Sequence, residues 1–140
     1  MRKQFALLTI SFVLACSVVA CSAAASSTPS TSPLTKTRDG LTVSLDIKPT
    51  PLKVGVPTQL MVTIHDDQNK PVNDASVRMS LLMLGMSMPK NEPTVTAAGN
   101  GVYISTGTFT MGGNTWAVDL FVTRGDKTTE LLFSSLDVKE

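Results

Sequence analysis

Three methionines of this 140-residue chain lie outside the segments that are expected to bury one face. Met86 and Met88 occur in the stretch LGMSMP, and Met111 precedes two glycines. Gly and Pro at these points break strand periodicity, so no buried face requires an apolar side chain there. Thioether sulfur is a soft, uncharged ligand that suits Cu(I) and needs no deprotonation. The pattern indicates either a Cu(I) site or flexible side chains that pack within loops.

The elements that position these loops are predicted to be β-strands, because the dominant hydrophobic period after Gly40 is two. Apolar residues alternate with polar ones from Leu41 to Ile47, and turn-forming residues separate the later apolar segments. The predicted strands are residues 41–47, 58–65, 75–84, 94–97, 101–109, 115–123 and 128–138. Seven short antiparallel strands predict an all-β fold, an immunoglobulin-like β-sandwich, with a small barrel as the alternative.

The order of the strands predicts which loops lie together. Successive antiparallel strands alternate in direction, so their connections alternate between the two ends of a sandwich. Loops 48–57, 85–93 and 110–114 are predicted at one end, and loops 65–75, 98–101 and 124–128 at the other. Met86, Met88 and Met111 therefore meet, provided that residues 94–97 cross the sheet. His65, predicted to be a solvated turn residue, lies at the opposite end.

Other residues with ligand or aromatic chemistry are predicted to be structural. Met79 and Met83 fall on the buried face of a strand. Tyr103 and Trp116 are predicted to be core aromatic side chains whose polar edges reach a hydrogen-bond partner. The pair Asp66–Asp67 begins a turn, because the residues that follow lack the acidic spacing of an EF-hand loop.

The N-terminal segment predicts export from the cytoplasm. Residues 1–20 combine a positive start, an apolar stretch and small residues, which is typical of a signal peptide. The stretch VVAC ending at Cys21 resembles a bacterial lipobox, so a lipid on Cys21 is predicted to anchor the mature, extracytoplasmic chain to the cell membrane. Cys16, a simple secretory signal and an uncleaved anchor are the alternatives. Residues 21–40 are predicted to be a flexible tether, and residues 41–138 the folded domain.

The composition of the mature chain excludes several classes of function. Both cysteines precede the predicted domain, so no disulfide within it is expected. Removal of residues 1–20 leaves ten basic against eleven acidic residues, which gives no reason to expect nucleic acid as a partner. No histidine lies near a serine or cysteine nucleophile, and no phosphate-binding glycine loop occurs, so an enzyme is not expected.

Several short motifs follow one another along the predicted domain. They are the turn DDQNKPV before Ala75 and Val77, the stretch Met86-Ser87-Met88-Pro89, Gly101-x-Tyr103, and Met111-Gly112-Gly113 before Trp116. Their order and spacing resemble the YtkA-like family of bacterial extracytoplasmic domains, which is related to FixH-type proteins. The resemblance covers residues 41–138.

This resemblance implies an immunoglobulin-like fold and an association with copper handling and the assembly of haem-copper oxidases. It also implies that Met86, Met88 and Met111 bind Cu(I), which then passes to a membrane-bound oxidase or copper transporter. No histidine lies near the methionine loop, so tight Cu(II) binding is not expected. The alternative function is a non-metal, immunoglobulin-like interaction module on the cell surface.

Overall fold

The computed structural model describes residues 32–140, which form nine β-strands joined by turns. The strands are β1 (Leu34–Arg38), β2 (Leu41–Lys48), β3 (Leu52–Lys53), β4 (Pro57–His65), β5 (Ser76–Met83), β6 (Val95–Gly99), β7 (Val102–Thr108), β8 (Gly113–Arg124) and β9 (Lys127–Lys139). Within this range no segment is a helix of the length and hydropathy needed to span a membrane. The predicted signal peptide, Cys21 and residues 21–31 of the predicted tether lie outside the described residues.

The strands form two sheets that pack as a sandwich. One sheet has the order β1-β2-β4-β7-β6, and the other has the order β3-β9-β8-β5. All pairings are antiparallel except that of β3 with β9. Without β1 and β3, this is the strand order of an immunoglobulin constant-type domain, four strands facing three. The predicted all-β immunoglobulin-like sandwich is therefore confirmed.

Alternation of apolar and polar residues creates the core between the sheets. Along β2, buried side chains alternate with half-exposed ones, which is the burial pattern expected of a strand with one face inward. Met79 and Met83 are buried as predicted. The Tyr103 hydroxyl also finds its predicted partner, since it donates to the Val72 carbonyl at 3.0 Å. The largest fully buried side chains are Trp116, Phe109, Phe133, Leu45, Leu60, Ile64, Met79 and Leu81.

The folded domain begins earlier than the predicted boundary at Leu41. Residues 34–38, assigned to the flexible tether, form β1 and pair with β2 in a continuous antiparallel register. All five side chains of β1 are exposed, so no buried face marks this strand in the sequence. Backbone pairing with β2 holds it in place. The two-residue β3 was also absent from the predicted strands.

Side chains of β1 also form hydrogen bonds that link the two sheets along one side of the sandwich. Lys36 Nζ donates to the Leu132 carbonyl at 2.6 Å, and Arg38 Nη1 donates to the Glu130 carbonyl at 2.8 Å. Both carbonyls belong to β9, whose outer edge pairs with β3 only at Val138 and Lys139. Cationic side chains of the first sheet thus cap exposed backbone acceptors of the second.

The strand directions place the loops as predicted. β6 crosses its sheet antiparallel to β7, and β7 is antiparallel to β4, so the condition on residues 94–97 is met. One end of the sandwich, here called the methionine pole, is formed by loops 49–56, 84–94 and 109–112. The opposite pole is formed by loops 39–40, 66–75, 100–101 and 125–126. Met86, Met88 and Met111 lie at the methionine pole, and His65 lies at the opposite one.

Candidate metal centre

The methionine pole is organised around the end of the β5–β8 strand pair. Met83, the last residue of β5, lies opposite Trp116 in the register of the two strands. The Leu84 amide donates to the Thr115 carbonyl at 2.9 Å, which extends the pairing by one residue. Directly opposed residues of this kind have Cα atoms about 5 Å apart. The loop after β5 and the loop before β8 therefore leave the sandwich side by side.

Met86 lies at the end of a tight turn that follows β5. The Met86 amide donates to the Met83 carbonyl at 3.3 Å, and Gly85 has a φ of 80° at the third position of this turn. These values are typical of a type II turn, which favours glycine at that position. The Met86 side chain is 51% exposed. The Met86 side chain is therefore open to solvent.

Met88 is held by the edge of β5. Because the pair formed by Leu84 and Thr115 is hydrogen-bonded, the Met83 amide points away from β8. Met88 Sδ accepts this amide proton at an N–S distance of 3.1 Å, and the side chain is half-buried against the core. The Asn91 carbonyl accepts the Leu81 amide in the same way at 2.8 Å. The Met88 thioether has a fixed position and keeps a second lone pair.

Met111 is fixed through its backbone by the neighbouring tryptophan. The Trp116 indole donates from Nε1 to the Met111 carbonyl at 2.9 Å, which is the partner predicted for its polar edge. The ring of Trp116 packs edge-on against Phe109, with centroids 5.1 Å apart and an interplanar angle of 82°. The Met111 side chain is 41% exposed. The loop is thus anchored in the core while the Met111 side chain is exposed.

The structure brings the predicted ligands to one pole but gives them different surroundings. Met86 and Met88 line one groove of about 330 Å³ together with the end of β5, and Met111 lies on the adjacent loop outside this groove. The chain turns sharply at Gly85, directly before Met86. Met83 and Trp116 link the two loops: Met83 hydrogen-bonds the loop of Met86 and Met88, and Trp116 hydrogen-bonds the loop of Met111.

Harder ligands offer no comparable site. In the range 32–140, no three His, Cys, Asp or Glu side chains are close enough to hold a metal ion together. The Asp66 carboxylate accepts the amides of Gln68 and Lys70, both at 2.9 Å, which makes the segment the turn that was predicted. His65 forms an isolated bridge with Pro71 at the opposite pole. The thioethers are therefore the candidate ligands of the described part of the chain.

Sequence reasoning missed the roles of two residues at this pole. Met83 was assigned to the core alone, whereas its amide and carbonyl also fix the loop that carries Met86 and Met88. Leu84, which is 44% exposed, was assigned to a strand. The glycine at position 85 is the signal that could have predicted a turn at this point, because glycine favours the positive φ that the turn requires.

Comparisons with known proteins support the fold. A family model described as YtkA-like matches residues 35–121. A crystal structure of a DUF4785 family protein from Legionella pneumophila superposes with a TM-score of 0.53 at 13% sequence identity. The match covers 71% of this chain and 29% of that protein, and at this identity it shows a shared fold alone. No curated protein matches the sequence.

Proposed function

Because the chain belongs to the YtkA-like family, we propose that it is a membrane-anchored, extracytoplasmic protein that binds Cu(I) through Met86, Met88 and Met111. It passes the ion to a membrane-bound partner, an oxidase that contains copper or a copper transporter, and acts as a carrier rather than an enzyme. A lipid on Cys21 holds it at the membrane. One observation carries the proposal: Met83 of β5 and Trp116 of β8 lie opposite each other, and their hydrogen bonds hold the loops of all three methionines.

The ligand chemistry supports a Cu(I) carrier. Thioethers are soft and neutral, so they favour Cu(I) over Cu(II), Mg²⁺ or Ca²⁺. Met86 and Met111 are exposed, while Met88 is held against β5. An ion bound by one sulfur held against β5 and two exposed sulfurs can exchange its ligands one at a time with those of a partner. Thioethers also need no deprotonation, so we expect little pH dependence of binding in the neutral and mildly acidic range.

Titration of residues 22–140 with Cu(I) in the presence of a competing chelator tests the proposal. We expect one ion per chain, and we expect the double variant Met86→Leu/Met111→Leu to weaken binding at least tenfold. Leucine preserves the apolar volume and removes only the sulfur. Met61→Leu is the matched control, because Met61 is half-buried on β4 outside the methionine loops. Unchanged affinity in the double variant would refute the assignment of the ligands.

The second candidate function is a non-metal interaction module. Leu84, Met86 and Met111 are exposed large hydrophobic residues at one end of the sandwich. Clustered apolar side chains of this kind are typical of a surface that contacts another molecule. If the wild-type chain binds no Cu(I) in the titration, this second function is the one that the exposed residues support.

A further inference from the structure

The predicted tether joins the sandwich at the methionine pole. β1 runs antiparallel to β2, and Leu34 at its start lies opposite Leu45, near the end of β2. Ser32 and Leu34 line one groove of about 340 Å³ together with Pro51 and Leu52 of the loop that follows β2. The chain that precedes Ser32 therefore reaches the domain at the same end as the methionine loops.

The exposed apolar residues are concentrated towards this same end. Among residues 32–140, the exposed large hydrophobic side chains are Leu34, Leu84, Met86 and Met111, each between 40% and 51% exposed. The loops of the opposite pole carry the acidic residues Asp39, Asp66, Asp67, Asp74 and Asp126, of which Asp39 pairs with Lys127 and Asp74 pairs with Arg124. The exposed large hydrophobic side chains of residues 32–140 thus lie towards the end where the tether begins, and the loops of the opposite pole carry none of them.

We propose that the methionine pole rests on the lipid bilayer, with Leu84, Met86 and Met111 in contact with its interfacial region. This inference rests on the proposed function, because it requires the lipid on Cys21. Burial of exposed apolar side chains in the membrane interface adds to the affinity that a lipid anchor supplies. The apolar end is therefore the end suited to the lipid surface, and a membrane protein that covers it is the competing outcome.

The length of the tether favours this orientation. Ten residues separate Cys21 from Ser32, and a chain of that length spans at most about 35 Å. The strand β8 has twelve residues, so the sandwich is about 40 Å long. To bring the opposite pole to the membrane, the tether would have to run along the whole sandwich. The methionine pole needs no such extension, so Cu(I) bound there faces the bilayer surface where a membrane-bound acceptor lies.

Site-specific fluorescence quenching in vesicles tests the orientation. The full chain, purified from bacterial membranes, is reconstituted into phosphatidylethanolamine and phosphatidylglycerol vesicles that contain a lipid with a quenching headgroup. One fluorophore is placed at Lys90→Cys on the methionine pole or at Asp126→Cys on the opposite pole, each in a chain with Cys16→Ser. We expect at least threefold stronger quenching at position 90. Equal quenching at the two positions would overturn the inference.

Two further variants separate lipid contact from copper binding. Leu84→Asp places a charge in the apolar surface and leaves all three sulfurs, so we expect quenching at position 90 to fall at least twofold while the chain still binds one Cu(I) ion. Met86→Leu/Met111→Leu removes two sulfurs and keeps the surface apolar. We therefore expect weaker Cu(I) binding and unchanged quenching at position 90. Unchanged quenching in Leu84→Asp overturns lipid contact by this surface.

The remaining outcomes separate this inference from the proposed function. Quenching at position 90 that occurs only when native membrane proteins are present overturns lipid docking in favour of a protein partner. A full chain that does not float with the vesicles overturns the lipid anchor, and the orientation with it. If the wild-type chain binds no Cu(I) but quenching at position 90 remains stronger than at position 126, only the proposed function in copper transfer is overturned.

Discussion

Replacement of Met88 by leucine separates its structural contact from its proposed role as a ligand. Met88 Sδ accepts the Met83 amide at 3.1 Å on the open edge of β5. Leucine has a similar apolar volume but cannot accept a hydrogen bond, so the Met83 amide loses its partner. Met86→Leu is the matched comparison. Met86 is 51% exposed, and its sulfur does not accept a backbone amide of β5 as the Met88 sulfur does.

The expected difference in stability follows from these contacts. Loss of the acceptor from a half-buried amide costs about 1–2 kcal/mol in the free energy of unfolding. For a domain of this size, this corresponds to a decrease in Tm of about 4–8 °C. Met86→Leu is a surface substitution and is expected to change the free energy of unfolding by less than about 0.5 kcal/mol.

Thermal unfolding and amide hydrogen exchange measure the effect. We expect Met88→Leu to lower the protection of the Met83 amide about tenfold, while Met86→Leu leaves it unchanged. Both variants are expected to weaken Cu(I) binding. The reasoning fails if the two variants unfold at the same temperature and the Met83 amide stays equally protected in both.

Three further substitutions test contacts in and around the core. Trp116→Phe removes the bond to the Met111 carbonyl and leaves a cavity, so we expect a loss of about 2 kcal/mol in denaturant unfolding, together with weaker Cu(I) binding. Tyr103→Phe removes the buried bond to the Val72 carbonyl, and about 1–2 kcal/mol should be lost in the same assay. Burial raises the pKa of Asp119, whose Oδ1 has no hydrogen-bond partner among residues 32–140. The folded state therefore disfavours the ionised carboxyl, so Asp119→Asn should raise the Tm at pH 7, and this gain should disappear as the pH falls towards about 4.

The sequence predicted the parts of the fold that are determined by burial. Alternation from Leu41 to Ile47 predicted β2, because every second side chain of this strand enters the core. The alternating direction of antiparallel strands then placed Met86, Met88 and Met111 at one end without any knowledge of the sheets. These inferences succeeded because they depend on the alternation of apolar residues and on strand direction. Neither changes when a strand end is misplaced by one or two residues.

Features held by the backbone left no such pattern. β1 buries none of its five side chains, so its residues resemble the polar tether before them. The bond from the Met83 amide to Met88 Sδ depends on which amides of β5 face away from β8, and this follows from register rather than from composition. Sequence alone therefore placed the candidate ligands at one pole but could not tell which of them the fold holds fixed.

Both edges of the second sheet are partly covered by groups from other parts of the chain. Met88 and Asn91 occupy backbone donors on β5, and Lys36 and Arg38 occupy backbone acceptors on β9. Unpaired strand edges promote aggregation between neighbouring proteins. The proposed lipid on Cys21 would confine copies of the chain to one surface at high local concentration. The covered edges would keep crowded copies from joining their sheets, so that each domain remains a separate unit.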